Sequence, residues 1–378
     1  MESERRPRLT PAIADLRRAV RGLLTSTGSV SEFDGDSGRH AGRMGSRTGS
    51  GGEITVEFVL VGLSGGADSL ALAAATAFEA PRARVRAGAV IVDHGLQKGS
   101  TDVAAAAARQ ARELGLDPVL VVSVAVDTAK PGEGSSGDGP EAAARAARYA
   151  AFARALAETG ASHILLGHTL DDQAETVLLG LARGSGPTSM HGMAARSGPY
   201  LRPLLGIRRA ETRQFCVDSG LTPWDDPHNL HARFARVRVR ERVLPTLERE
   251  LGPGIAEALA RTAHQLREDA SALDQLVLEF IEEICEPAEA GIAVSVGALE
   301  ANPPALRQRV IRFVVESEFG VSLERVHTLA VARLVTDWHG QKPLDLPGVR
   351  VVRQNGMLVF TAPGHTPSKG ISRSHGTS

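Results

Sequence analysis

The chain has 378 residues, of which 42% are hydrophobic and 4% aromatic, with a formal net charge of -1. That length holds about two domains with an ordinary apolar core. The near-neutral balance excludes a global attraction to nucleic acid, so an RNA site must be a local patch, and the scarcity of aromatic rings excludes base stacking as the main mode of a broad surface.

Taken in order, Thr10 and Pro11 open a short helix over residues 11–24, with Ile13, Leu16, Val20, Leu23 and Leu24 on one face. Residues 25–52 are rich in Ser, Gly, Thr and Arg and read as a disordered insertion; Arg39, Arg43 and Arg47 give it a second reading as a substrate-ordered arm. Next comes an apolar strand, Val56 to Leu63, then Ser64-Gly65-Gly66-Ala67-Asp68-Ser69, then a helix from Leu70. Consecutive glycines let the backbone turn sharply before a helix whose free N–H groups attract anions. Because a carboxylate beside a phosphate is repulsive without a cation between them, Asp68 implies Mg²⁺ with a nucleotide.

Apolar runs then alternate with helical patterns. Strands are expected at Ala87 to Val92, Pro118 to Val124 and His163 to Leu166, and helices at Asp102 to Leu114, Glu141 to Glu158, Leu170 to Ala182 and Arg208 to Ser219. This predicts an α/β fold, a parallel sheet of the five-stranded type with helices on both faces, in which ligands gather at the carboxyl ends of the strands. Asp93 and His94 follow the second strand, so they share an edge with the glycine turn. Residues 127–140 read as a flexible loop, and the helix after it carries Glu141, Arg145, Arg148 and Tyr149.

The densest constellation is Gly167-His168-Thr169-Leu170-Asp171-Asp172-Gln173-Ala174-Glu175-Thr176. Thr169 can cap the helix, and Asp171, Asp172 and Glu175 line its first turns. Such a group could bind Mg²⁺, grip an ammonium, or take a proton from an attacking amine. Further on, Arg233, Arg236, Arg238, Arg240 and Arg242 crowd one predicted helix, and neutralising phosphates is the natural use of such a cluster.

From Leu247 the pattern turns helical, as one long helix or a hairpin. A short strand follows at Ile292 to Val296, then helices at Pro304 to Glu318 and Leu323 to Asp337, and a β-ribbon, Val349 to Arg353 and Met357 to Thr361, turned at Asn355-Gly356. The predicted division is therefore 1–24, 25–52, 53–242 as catalytic domain, 243–363 as a mostly helical accessory domain, and 364–378 as a disordered tail. The two cysteines, Cys216 and Cys285, lie far apart in helical patterns away from the loop, so structural thiols are expected. The start lacks an apolar signal core and no stretch approaches eighteen uninterrupted apolar residues, which points to a cytoplasmic protein without a membrane partner.

The string S-G-G-A-D-S resembles the pyrophosphate-binding loop of the ATP pyrophosphatase superfamily. Within it, D-H-G-L, E-A-A-A-R-A-A-R-Y, G-H-T-L-D-D-Q-A-E-T, Leu201-Arg202-Pro203-Leu204 and Asp225-Asp226-Pro227-His228-Asn229 together resemble the tRNA(Ile)-lysidine synthetases, from about Val56 to Leu247 and more loosely to Phe360. The resemblance implies an enzyme that uses ATP to adenylate C2 of the wobble cytidine in a CAU-anticodon tRNA(Ile), then joins free L-lysine to it. It assigns Ser64, Gly65, Gly66, Asp68, Ser69 and His94 to ATP, and Asp68 to Mg²⁺. His168, Asp172 and Glu175 would serve adenylation and lysine recognition, Arg145 and Arg148 would lie near the α-phosphate or cytidine, and Glu141, Arg236, Arg238 and Arg240 would help hold substrate. Val237 stands where this family usually has asparagine in R-N-x-x-R, while Arg236 and Arg240 keep the spacing. The resemblance also implies that the region after the catalytic domain grips tRNA; a homodimer is compatible with it. The alternatives are a thiolase of the same superfamily and a binding protein that kept the loop.

Overall fold

The computed structural model describes residues 9–27, 57–95, 99–124, 140–184, 187–225, 234–288 and 291–363, apart from the side chains at 140–142 and 187–188. The loop at 127–139, most of the 25–52 insertion, Leu96, Asp226 to Asn229, Arg233 and the tail lie outside this set. The chain divides into two compact units, Met1–His264 and Gln265–Ser378.

In the first unit, helix α1 (Pro11–Thr27) precedes β1 (Phe58–Gly62), α2 (Ala67–Glu79), β2 (Arg86–Asp93), α3 (Ser100–Glu113), β3 (Val119–Ser123), α4 (Pro140–Thr159), β4 (His163–Leu166) and α5 (Leu170–Arg183). After the one-turn helix α6 (Pro187–Met190) come β5 (Arg196–Ser197), β6 (Tyr200–Leu201) and α7 (Arg209–Asp218). The sheet runs β3-β2-β1-β4-β6-β5, parallel except for the pairing of β5 with β6. The parallel α/β reading holds. The sheet has six strands because the two-residue strands β5 and β6 extend it beyond β4; two residues are too few to display a period of two.

Successive residues of β1 supply opposite faces, as strand geometry requires. Val59 and Val61 join Leu165, Leu201 and residues of α1, α2, α3 and α7 in one core, whereas Phe58 and Leu60 join Val90, Ile164, Leu166 and, from α4, Phe152 and Ala155 in another. Burial on both faces explains why these strands read as apolar runs rather than alternations.

The arginine-rich stretch is one helical run in three parts: α8 (Ala235–Arg238), a π segment (Val239–Val243) and α9 (Leu244–Leu251). Pro245 at the start of α9 lacks an N–H and its ring crowds the preceding turn, so the chain widens there, with Leu244 N–H reaching the Val239 carbonyl. Helix α10 (Ile255–Ile284) is a single helix of 30 residues, not a hairpin, and the division between units falls inside it.

The second unit continues with β7 (Cys285–Ala288), β8 (Gly291–Ser295), α11 (Val296–Ala301), α12 (Pro304–Phe319), α13 (Arg325–Thr336), β9 (Leu344–Leu346), β10 (Val349–Gln354) and β11 (Met357–Thr361). The expected ribbon is present, turned at Asn355 and Gly356 with φ of 50° and 74°. It belongs to a five-stranded antiparallel sheet, β7-β8-β11-β10-β9, larger than the sequence suggested. Edge strand β7 carries Pro287 and β9 has three residues, so neither announces itself by pattern. Cys285 opens β7 rather than lying in a helix.

Candidate active site

The turn after β1 is built for close approach. Gly65 has φ of 86°, a conformation that favours glycine, and its carbonyl accepts the Trp224 N–H at 2.9 Å. Gly66 is the N-cap of α2 and supplies no side-chain cap, an arrangement that suits an anion at the first N–H groups. The Ser69 hydroxyl donates to the Gly66 carbonyl at 3.0 Å and lies 3.0 Å from the Ser64 hydroxyl, which draws both serines into the turn. Gly167, just past β4, is where the second motif meets the first. A Cβ there would stand 3.0 Å from the backbone of Asp68 and Ser69, so the residue before His168 has to be bare for the two motifs to touch.

Asp68 points into α7, where its carboxylate accepts from the Thr212 hydroxyl and, at 3.4 Å, from Arg209 Nε. Burial raises its pKa above the ordinary carboxylate value, against the pull of Thr212 and Arg209. On α5, Thr169 and Asp172 form a reciprocal cap: the Asp172 carboxylate accepts the Thr169 N–H at 2.8 Å, and the Asp172 N–H reaches the Thr169 hydroxyl at 3.4 Å. Burial pushes the Asp172 carboxyl up, but Arg209, the Thr169 N–H, His168 and Arg240 together hold it below its ordinary value. Glu175 is fully buried, and Arg240 grips it with two bonds, Nε at 2.7 Å and Nη2 at 3.0 Å. Arg236 lies 3.3 Å from Glu175 and donates to the Thr176 hydroxyl at 2.7 Å.

Arg236 and Arg240, four positions apart in the sequence, therefore meet the acid cluster of α5, whereas Arg238 is exposed. From the sequence these arginines read as ligands of RNA phosphate. Their partner in the structure is Glu175, 61 and 65 positions upstream, which no local spacing could reveal.

His168 has its Nδ1 buried without a partner. Burial, with Arg202, Arg236 and Arg145 nearby, lowers its pKa to about 4, against the pull of Asp172, so at neutral pH it is an uncharged imidazole. At the end of β2 the Asp93 carboxylate accepts from the Gly95 N–H and the Thr101 hydroxyl, 3.1 and 3.0 Å away, and so fixes the turn carrying His94. Burial and then Arg148 lower the His94 pKa; Arg148 Nε stands 3.5 Å from its ring nitrogen. Arg145 turns to Tyr149, with its guanidinium 3.2 Å from the hydroxyl. The Glu141 side chain lies outside the described set.

One residue escaped the sequence reading and another was misplaced by it. Arg209, at the start of α7, is bound to Asp68, Asp172 and Glu175 together. Cys216 is not remote from the loop: α7 packs on α2, and its thiol lies 3.5 Å from the Ala67 carbonyl. Burial raises that thiol's pKa to about 11, so it stays protonated and unreactive at neutral pH.

The strand–glycine turn–helix with its acids at the carboxyl edge of a parallel sheet defines a PP-loop protein, and residues 50–247 match the PP-loop domain family. Residues 295–359 match the TilS substrate binding domain. The chain is 67% identical over 303 residues to a tRNA(Ile)-lysidine synthase of Leifsonia xyli, covering 80% of this chain and 89% of that one. Against the enzyme of the same name from Streptomyces coelicolor, identity is 50% over 317 residues, covering 81% and 86%. Against that from Salinispora arenicola, it is 45% over 363 residues, covering 94% and 98%. The chain belongs to the tRNA(Ile)-lysidine synthase family, and with it to the ATP-dependent ligases of the PP-loop group. Among solved structures, the U34-tRNA thiolase NcsA of Methanococcus maripaludis shares the fold, with a TM-score of 0.51 and 20% identity, covering 68% of this chain and 80% of that one.

Proposed function

We propose that this chain forms lysidine: it adenylates the C2 oxygen of the wobble cytidine in CAU-anticodon tRNA(Ile), and the ε-amine of free L-lysine then bonds to C2 as the C2–O bond breaks and AMP leaves. The observation that carries the reading is the convergence, at one sheet edge, of an uncapped phosphate turn with the acids Asp68, Asp172 and Glu175.

In this reading Ser64, Gly65, Gly66 and Ser69 hold the phosphates that leave as pyrophosphate, with the N-terminus of α2 behind them. Asp68 suits a divalent cation, because it is a carboxylate kept beside an anion site against the cost of burial. Mg²⁺ is ordinarily held by one or two carboxylates together with waters and substrate phosphates, a mode that Asp68 beside the glycine turn would fit. Bound there, Mg²⁺ would neutralise charge on the departing pyrophosphate. His94 and Arg148 lie after β2 and on α4, suited to the nucleotide and the cytidine, with Arg145 beside them. Asp172 and Glu175 take the lysine ammonium, and uncharged His168 or ionised Asp172 takes the proton that a side chain of pKa about 10.4 must shed before it attacks. Arg236, Arg238, Arg240 and residues of the second unit hold tRNA, and the enzyme works in the cytoplasm; among the described residues no helix is long and apolar enough to cross a membrane.

A thiolase reading is weaker. The chain has two cysteines, and burial raises the thiol pKa of both Cys216 and Cys285 to about 11, so neither offers a thiolate at neutral pH. The test is transfer of labelled lysine to unmodified CAU-anticodon tRNA(Ile) with ATP and Mg²⁺, using the tRNA(Met) of the same anticodon as control. Lysine in the isoleucine tRNA alone, with AMP released, is expected; AMP on tRNA without lysine would put the nucleophile in error, and neither product would leave a binding protein.

A further inference from the structure

Arg209 has no part in the roles argued above, yet it touches every acid they use. Its three guanidinium nitrogens go to three different carboxylates: Nε to Asp68 at 3.4 Å, Nη2 to Asp172 at 2.8 Å and Nη1 to Glu175 at 3.2 Å. The backbone N–H of the same residue donates to Asp171 at 2.7 Å, so the side chain starts from a fixed base. Among the described residues Arg236 and Arg240 ion-pair only with acids of α5, which leaves Arg209 as the guanidinium that ties Asp68 on α2 to Asp172 and Glu175.

Joining α7 to its neighbours does not require this. Phe215, Cys216, Leu70 and Ala71 already share a core, and Thr212 already bonds Asp68. Without Arg209, Asp68 and Asp172 would face each other across a low-dielectric site and repel. Asp68, Asp172 and Glu175 meet the guanidiniums of Arg209, Arg236 and Arg240, and Asp171 beside them pairs with Arg208, so acids and guanidiniums balance four to four. An arriving cation must then displace a guanidinium rather than join it.

We propose that Arg209 is a positioning residue, the resident counter-ion of the site: it spaces Asp68, Asp172 and Glu175 while no cation is bound, and withdraws from Asp68 when a divalent cation arrives and from Asp172 and Glu175 when an ammonium does. A planar guanidinium can address three carboxylates at once, which the single ammonium of a lysine cannot. This inference rests on the reading of Asp68 as the cation-binding acid.

The experiment is Mn²⁺ binding to the full chain, followed by electron paramagnetic resonance with and without ATP, for wild type, R209Q, R209K and the double variant D68N/R209Q. Without nucleotide, R209Q is expected to bind Mn²⁺ about tenfold tighter than wild type, since a competing charge at contact distance has gone. R209K should show a smaller gain, and the double variant none, while kcat for lysine transfer by R209Q falls at least about tenfold because the acids lose their spacing. A residue that only staples α7 would give weaker Mn²⁺ binding together with a lower melting temperature. Unchanged or weaker Mn²⁺ binding by folded R209Q overturns the proposal; if R209Q does not fold, an affinity of R209K equal to wild type does so. Wild type that takes up Mn²⁺ with ATP leaves the reading of Asp68 intact in either case. Wild type that takes up none with ATP removes that reading and the inference together.

Discussion

Two arginines, one buried and one half-buried, distinguish the two units. In the second, Arg307 on α12 donates from Nε to the Leu299 carbonyl at 2.8 Å and from Nη2 to the carbonyls of Glu300 and Asn302 at 3.2 and 3.0 Å, closing the end of α11. In the first, the side-chain bonds of Arg209 go to carboxylates on two other helices. Helix-end carbonyls exist in any fold and need donors, so Arg307 belongs to the folding of its unit. Three carboxylates gathered on one guanidinium at a sheet edge are more than packing asks for, and under the proposed function Arg209 and its partners serve the ligand.

The widest separation should come from Asp68→Ala. Lysine transfer is expected to fall by roughly three orders of magnitude, because several kcal/mol of charge stabilisation depend on the site. Unfolding in urea should shift by no more than about 1 kcal/mol, since burial already works against this carboxylate. A loss of several kcal/mol would erase the distinction between the two regions. Arg307→Ala should do the reverse, costing about 3 kcal/mol as three carbonyls lose their donor, with lysine transfer per folded molecule retained. Urea unfolding checks it, and an unaltered midpoint would show that the second unit does not lean on this arginine.

The smallest effect tests the first unit through pH. His168 titrates near 4 when folded and near 6.5 when unfolded, so the unfolded chain takes up its proton first as pH falls. Its contribution to stability is whole above pH 6.5 and is lost as pH falls towards 4. The loss is of order 2 kcal/mol once partial exposure is discounted. His168→Gln should lack this decline when stabilities at pH 7 and 4.5 are compared; equal declines would show that the imidazole is not held neutral by burial.

Much of the site was legible because its chemistry sits in short strings. Ser64 to Ser69 and Gly167 to Thr176 each follow an apolar strand, and a parallel sheet delivers such strings to one edge without further instruction. Arg209 was not legible: its partners lie 141, 37 and 34 positions away, and nothing in its own surroundings separates it from Arg208 beside it. Cys216 was misplaced for the same reason, since only the packing of α7 on α2 brings its thiol to Ala67. In the second unit the ribbon could be read from Asn355-Gly356 and its alternation. The full sheet could not, because β7 and β9 are short and depend on β8 and β10 for their pairing.

Helix α10 bears on how the chain can be divided for study. Ile255, Ala256 and Leu259 at its start pack with Leu170, Ala174 and Val239, whereas Val277, Phe280, Ile281 and Ile284 at its end belong to the core of the second unit. Glu248 of α9 accepts the N–H groups of Gly254 and Ala256 and so closes the helix at its beginning. A polypeptide ending at His264 would leave its helix cut in mid-course, and one beginning at Gln265 would start a helix without that cap. Expression of either half is better planned with the whole helix included, so that 255–284 appears in both fragments.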